Sequence, residues 1–133
     1  MSFKEEINDA ISHVVGIRVL IQSSRRPRPG EKKDEEKEQK RAEKIAESKK
    51  RLQDFSAEKI DGLVSLAQEG VPMDLDEIVH KLERAEFLLE DVAKGKDRKS
   101  NLLTLIESFK STPVLQNALL SVASLKKLLS ETS

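Results

Sequence analysis

Apolar residues recur every three or four positions along most of the chain, the spacing that places side chains on one face of an α-helix. The first such stretch covers residues 1–22, and Ser2 and Glu5 have the spacing of a capping box at its start. An isolated helix with this pattern would leave a large apolar surface exposed to water, which is unfavourable. We therefore expect it to pack against its own chain or a second molecule. Its heptad-like stripe consists of Phe3, Ile7, Ala10, Val14, Ile17 and Ile21.

The helical pattern is interrupted in residues 23–44. Two prolines and a glycine, Pro27, Pro29 and Gly30, follow the first helix, and each proline removes an amide donor and disfavours helix in the residue before it. Residues 31–41 contain no apolar side chain. This segment is therefore predicted to be a charged linker or a solvated helix held by Glu–Lys pairs four residues apart.

Further helices are predicted from residue 45 onward, separated by glycines and prolines. Helical order is expected to strengthen from Ala42 onward, and three more helices are expected to start at Ser56, Asp74 and Ser100, followed by a last helix over 113–129. No segment has the period of two that is typical of a strand. The prediction is an all-α bundle of about six helices, organised as an N-terminal helical arm (1–22), a charged basic linker or solvated helix (23–44) and a helical bundle (45–133).

Charge is balanced over the 133 residues, with 24 basic and 24 acidic side chains, but it is unevenly distributed. Residues 23–51 hold twelve basic against seven acidic groups, a net charge of +5, whereas residues 52–133 hold ten against fourteen, a net charge of −4. The neutral total argues against a generally basic nucleic-acid coat. The absence of cysteine excludes disulfides and thiolate chemistry.

Two basic clusters are the candidate contacts for a polyanion. Guanidinium and ammonium groups in extended or loop segments are able to follow phosphates, although neither cluster contains an aromatic residue for base stacking. A solvated, charged linker is the competing interpretation of the first cluster. The clusters are Arg25, Arg26, Arg28, Lys32 and Lys33, and Lys94, Lys96, Arg98 and Lys99.

The sequence offers little for catalysis or for a metal. Glu77 and His80 form a Glu-x-x-His step, but di-iron bundles use two such steps with two further glutamates, and the segment before His13 does not supply the second. Gly95 and Lys96 lack the remaining residues of a phosphate loop. We therefore expect no enzymatic activity, no cofactor and no metal.

The sequence also argues against a membrane-spanning segment and against binding to a membrane surface. The longest uncharged stretch covers 15 residues, 111–125, which is shorter than a spanning helix requires. Glu5, Glu6 and Asp9 fit neither a secretory signal nor an anionic membrane surface. An intracellular, cytoplasmic protein is expected, with a nuclear location left open.

These observations lead to two hypotheses about function. The first is a non-enzymatic helical interaction or assembly module, which forms a homo-oligomer or binds a protein partner through Phe3, Ile7, Val14, Ile17 and Ile21. The alternative is a nucleic-acid-binding accessory protein that uses the basic 25–33 segment and the 94–99 loop.

Overall fold

A computed structural model describes residues 3–25, 35–69 and 72–132, and within these ranges the chain contains seven α-helices and no strand. The predicted all-α class is confirmed. The helices are α1 (Phe3–Ser24), α2 (Glu35–Arg51), α3 (Ala57–Glu69), α4 (Pro72–Ala93), α5 (Arg98–Glu107), α6 (Pro113–Leu120) and α7 (Ala123–Thr132).

Helix α1 lies at the centre of the bundle, where it contacts α2, α3, α4 and α7. Its predicted apolar stripe is the side that faces these neighbours. Because a fully buried aliphatic side chain contributes about 1.5–3 kcal/mol, the inward face of α1 is a major part of the core. The apolar side chains that α1 buries are Ile7, Ala10, Val14, Ile17, Leu20 and Ile21.

Helices α1 and α4 run antiparallel, as two ion pairs between them show. The Arg18 guanidinium donates two hydrogen bonds to the Glu86 carboxylate, at 2.7 and 3.3 Å. Arg25 donates to Asp76 Oδ1 at 3.0 Å. Residue numbers rise along α1 as they fall along α4, so each end of α1 lies beside the opposite end of α4.

Helix α2 approaches α1 closely at Gly16. A Cβ atom added to Gly16 would lie 3.1 Å from Cβ of Arg51 and 3.2 Å from Cδ2 of Leu52, so only a residue without a side chain fits this position without a shift of its neighbours. Arg51 also donates to Ser12 Oγ at 3.2 Å. The charged segment of the sequence is therefore a solvated helix from Glu35 onward, continuous across the predicted boundary between residues 44 and 45.

Helix α4 carries a regular apolar stripe of its own. It buries residues spaced three and four apart: Leu75, Ile78, Leu82, Ala85, Leu89 and Val92. The helix ends where the amides of Gly95 and Lys96 donate to the carbonyls of Val92 and Asp91. Gly95 has a φ of 81°, a left-handed conformation that glycine adopts without strain.

The last predicted helix is divided into α6 and α7 at Ser121 and Val122. The Ser121 hydroxyl donates to the carbonyl of Asn117 at 2.7 Å, and the Val122 amide donates to Leu119, three residues back. The division allows the two short helices to pack on different neighbours, α6 against α3 and α7 against α1 and α5.

A polar contact joins α1 to α7. The carboxylate of Glu6 is buried, with its side chain 6% exposed, and accepts a hydrogen bond from the Lys127 ammonium, which is 56% exposed. A buried carboxylate requires such a partner because the loss of its hydration is costly.

Candidate functional site

The apolar stripe predicted as a partner surface is largely covered by the chain itself. Ile7, Val14, Ile17 and Ile21 are at most 1% exposed, whereas Phe3 is 37% exposed. Of the two possibilities left open by the sequence, this fold has the packing of α1 on its own chain, because α3, α4 and α7 pack against the helix. A partner would reach these four side chains only if α1 left the bundle.

The first basic cluster is represented in the described residues by Arg25, which forms the ion pair with Asp76 described above. Arg26, Arg28, Lys32 and Lys33 lie outside the described residues.

The second basic cluster follows the C-terminal end of α4, whereas Arg25 pairs with Asp76 near the N-terminal end of that helix. At 1.5 Å per residue, Asp76 and Ala93 are separated by about 25 Å along the helix. Arg25 and the 94–99 loop therefore lie at opposite ends of α4.

The 94–99 loop itself presents cations beside an aromatic ring. Lys94, Lys96 and Lys99 are exposed, and the guanidinium carbon of Arg98 lies 4.5 Å from the centre of the Phe3 ring. The sequence shows no aromatic residue within either basic cluster, but the fold brings one to the second cluster from the start of α1. This contact depends on the antiparallel packing of α1 and α4, which local sequence does not reveal.

Neither histidine belongs to a metal-binding arrangement. His80 is exposed on α4, and Glu77 forms an ion pair with Lys81 at 3.8 Å. Within residues 3–25, 35–69 and 72–132, no three side chains of His, Asp or Glu come together as a set that could hold a metal ion.

His13 has a structural position. It is 5% exposed, its Nδ1 lies 2.8 Å from the carbonyl oxygen of Asp9, and its Nε2 lies 3.5 Å from Asp54. The sequence suggests a partly exposed residue at this position, but the turn after α2 covers the ring, with Phe55 at 5.9 Å between ring centres.

Phe87 is the most exposed of the large apolar side chains in the described part of the chain, at 67%. It belongs to α4, but it falls outside the buried stripe of that helix, two residues after Ala85 and two before Leu89. At 100° per residue it points almost directly away from the core. Phe87 is not among the residues predicted from the sequence to be functional, although its position off the stripe indicates an exposed side chain.

Acidic groups surround Phe87. Glu83 lies one turn before it and Glu90 one turn after it, and both are exposed and form no ion pair with another described residue. Together with Arg18 and Glu86 they line an open groove of about 260 Å³ between α1 and α4. Because the lining holds three carboxylates and one guanidinium, and Arg18 is paired with Glu86, the groove has a net charge of −2.

Helix α1 adds apolar surface on the side next to this groove. Val15 and Val19 are half-buried, and their spacing from the buried stripe places them on the outward side of the helix. We define the outer face as these two valines together with Arg18, Glu83, Phe87 and Glu90.

A second open groove lies between α3 and α6. Its apolar lining comes from Gly62, Val114 and Ala118, with Glu58 and Lys59 at its edge. Lys59 donates a hydrogen bond to Ser121 at 2.6 Å. The charges at this groove have opposite signs, so they favour no particular class of partner.

None of the described helices is both long enough and apolar enough to cross a bilayer. The chain matches no protein family model, no curated protein and no solved structure. Any functional conclusion therefore rests on the surfaces described above.

Proposed function

We propose that this protein is a non-enzymatic helical interaction module that binds a protein partner on its outer face. The observation that carries the proposal is the two-thirds exposure of Phe87 in the middle of α4. Burying a phenylalanine of this size contributes about 1.5–3 kcal/mol, and aromatic residues are enriched in the cores of protein interfaces. The core is complete without Phe87, so fold stability does not account for its presence.

Helix α1 is part of the proposed interface, but through other residues than those of the sequence hypothesis. The sequence hypothesis places the partner on Ile7, Val14, Ile17 and Ile21, which the core occupies. The valines at positions 15 and 19 of α1 point away from the buried stripe of the helix, at positions that are half-buried rather than fully covered. The proposal therefore keeps α1 as part of the interface and moves the contact to its outer side.

Site-specific photocrosslinking tests the proposal. A photoreactive phenylalanine analogue in place of Phe87 keeps an aromatic group at the proposed interface, and the same analogue in place of Lys50, which is exposed on α2, serves as the control. In cells that express the protein, we expect a discrete protein adduct from position 87 and none from position 50. Equal labelling at both positions, or none at either, would contradict the proposal.

Self-association is the homo-oligomeric form of the same proposal. Light scattering coupled to size exclusion tests it directly. An oligomer that Phe87→Ala converts to a monomer identifies the partner as a second copy, whereas a monomer at micromolar concentration assigns the crosslinked partner to another protein.

Nucleic-acid binding at the 94–99 loop is the second candidate function. The observation that favours it is the Phe3 ring beside Arg98, next to three exposed lysines, since single-strand binding combines basic groups with aromatic rings. Against it, the carboxylate of Asp97 lies within the loop and is exposed. We rank it second because this carboxylate repels phosphates.

Fluorescence anisotropy with a labelled single-stranded oligonucleotide tests this alternative. If the loop binds phosphates, replacing Lys94, Lys96 and Lys99 with alanine weakens binding and lowers its salt dependence. The matched control replaces three exposed lysines of α2, Lys37, Lys49 and Lys50. Absence of binding in low salt, or an equal loss in both variants, would reject the alternative.

A further inference from the structure

The outer face has a charge pattern that restricts the chemistry of its partner. Glu83 and Glu90 are seven residues apart, about 10 Å along α4, with Phe87 between them. The groove holds three carboxylates and a single guanidinium, and that guanidinium is engaged by Glu86. An anionic or acidic partner would be repelled, whereas a cationic partner would neutralise this net negative charge.

We propose that the groove between α1 and α4 binds a basic amphipathic helix of a partner protein. An apolar side chain of that helix contacts Phe87, and Lys or Arg side chains about one turn to either side pair with Glu83 and Glu90. This inference rests on the proposed function, because it names the partner chemistry of the same outer face.

A helix fits this site for a geometric reason. Two antiparallel helices leave a groove along their line of contact, and a third helix packs into such a groove with its apolar side chains between theirs. Basic residues seven positions apart on a partner helix have the same separation, about 10 Å, as the two glutamates. An arginine next to the ring would also gain a cation–π contact with Phe87.

The experiment selects peptides from a random 16-residue displayed library against the full-length protein, with removal of peptides that bind Phe87→Ala. Selected peptides are then synthesised and titrated by calorimetry at two salt concentrations. We expect them to carry net positive charge and an apolar face, and to become helical on binding as measured by circular dichroism.

A matched pair of charge variants separates this chemistry from general electrostatics. Glu83→Gln with Glu90→Gln removes the two carboxylates next to Phe87, and Glu36→Gln with Glu43→Gln removes two exposed carboxylates with the same seven-residue spacing on α2. Because exposed ion pairs are individually weak, we expect the first variant to lower affinity about fivefold to tenfold. The α2 variant is expected to change it less than about twofold.

The outcomes of this experiment test the basic-helix inference separately from the proposed interaction function. Peptides that depend on Phe87 but are acidic or neutral, or that bind the Glu83 and Glu90 variant unchanged, would overturn the basic-helix inference and leave the proposed interaction function standing. Recovery of no peptide that depends on Phe87 would overturn the inference, and the crosslinking experiment at position 87 would then decide the proposed function by itself.

Discussion

Helices α1 and α2 lie side by side, yet they are held in the fold by different kinds of surface. Helix α1 buries six apolar side chains among four neighbouring helices, whereas Ser48 alone is buried among the residues of α2. Arg51 of α2 and Leu52 just beyond its end lie against α1 at Ser12 and Gly16, and half-buried Ile45 packs against the core. The difference shows that a polar helix can keep a fixed position when a glycine allows its backbone to approach a hydrophobic neighbour.

The largest expected effect comes from the apolar face of α1. Ile17→Ala removes a fully buried side chain and leaves a cavity, so we expect a loss of about 2–5 kcal/mol in the free energy of unfolding. Ile45→Ala, at the half-buried equivalent on α2, is expected to cost about 1 kcal/mol. Urea denaturation of both variants measures the difference, and equal losses would contradict the contrast between the two helices.

The next effect concerns the contact between the helices at Gly16. Gly16→Leu places a side chain where Arg51 and Leu52 already lie, and overpacking of this kind costs about 1–3 kcal/mol. The control is Gly62→Ala in α3, where an added Cβ atom meets no heavy atom within 4 Å. Because alanine is the better helix former, this control is expected to stabilise the protein by up to about 1 kcal/mol. Thermal denaturation that shows the same sign for both variants would reject the close-approach explanation.

A smaller effect is expected at the polar edge of α1. Lys127→Met removes the cation that faces the buried Glu6 carboxylate while keeping much of the side-chain volume. Because Lys127 is more than half exposed and water can partly replace it, we expect a loss of about 1–2 kcal/mol. Lys126→Met, at the exposed neighbouring position, is expected to change stability by less than about 0.5 kcal/mol. Similar losses in chemical denaturation would show that the Glu6 contact does not contribute.

The smallest effect is expected on the exposed side of α2. Glu47 and Arg51 form an ion pair at 3.7 Å with both side chains well exposed. Glu47→Gln is expected to change the free energy of unfolding by less than about 0.5 kcal/mol. A loss greater than about 1 kcal/mol would mean that ion pairs, rather than the contact at Gly16, hold α2 in place.

Local sequence was sufficient to predict the helices and most of their inward faces. The stripe of α4 and its end at Gly95 follow from apolar spacing and from the conformational freedom of glycine. The apolar stripe of α1 was also predicted, but the helices that pack against it were not. What lies over Ile17 or Val14 depends on contacts with residues far along the chain, and the periodicity of one helix carries no information about them.

Two other features were beyond the reach of the sequence pattern. The break between α6 and α7 contains neither glycine nor proline. It is formed instead by the hydrogen bond of the Ser121 hydroxyl and by a tightened turn. The contact of Arg98 with Phe3 requires knowledge that α1 and α4 are antiparallel. Phe87, in contrast, was accessible from the sequence, since a phenylalanine outside the buried stripe of a helix is expected to face solvent.

The contact between Glu6 and Lys127 has a consequence for the order of folding. These residues are 121 positions apart, and closing a long loop before its contacts are made has an entropic cost that slows folding. During synthesis, α1 leaves the ribosome long before α7. We therefore expect α1 to become fully protected from proteolysis only in ribosome-bound chains long enough to expose α7. Although α1 is made before the other described helices, it would then be among the last to reach its final packing.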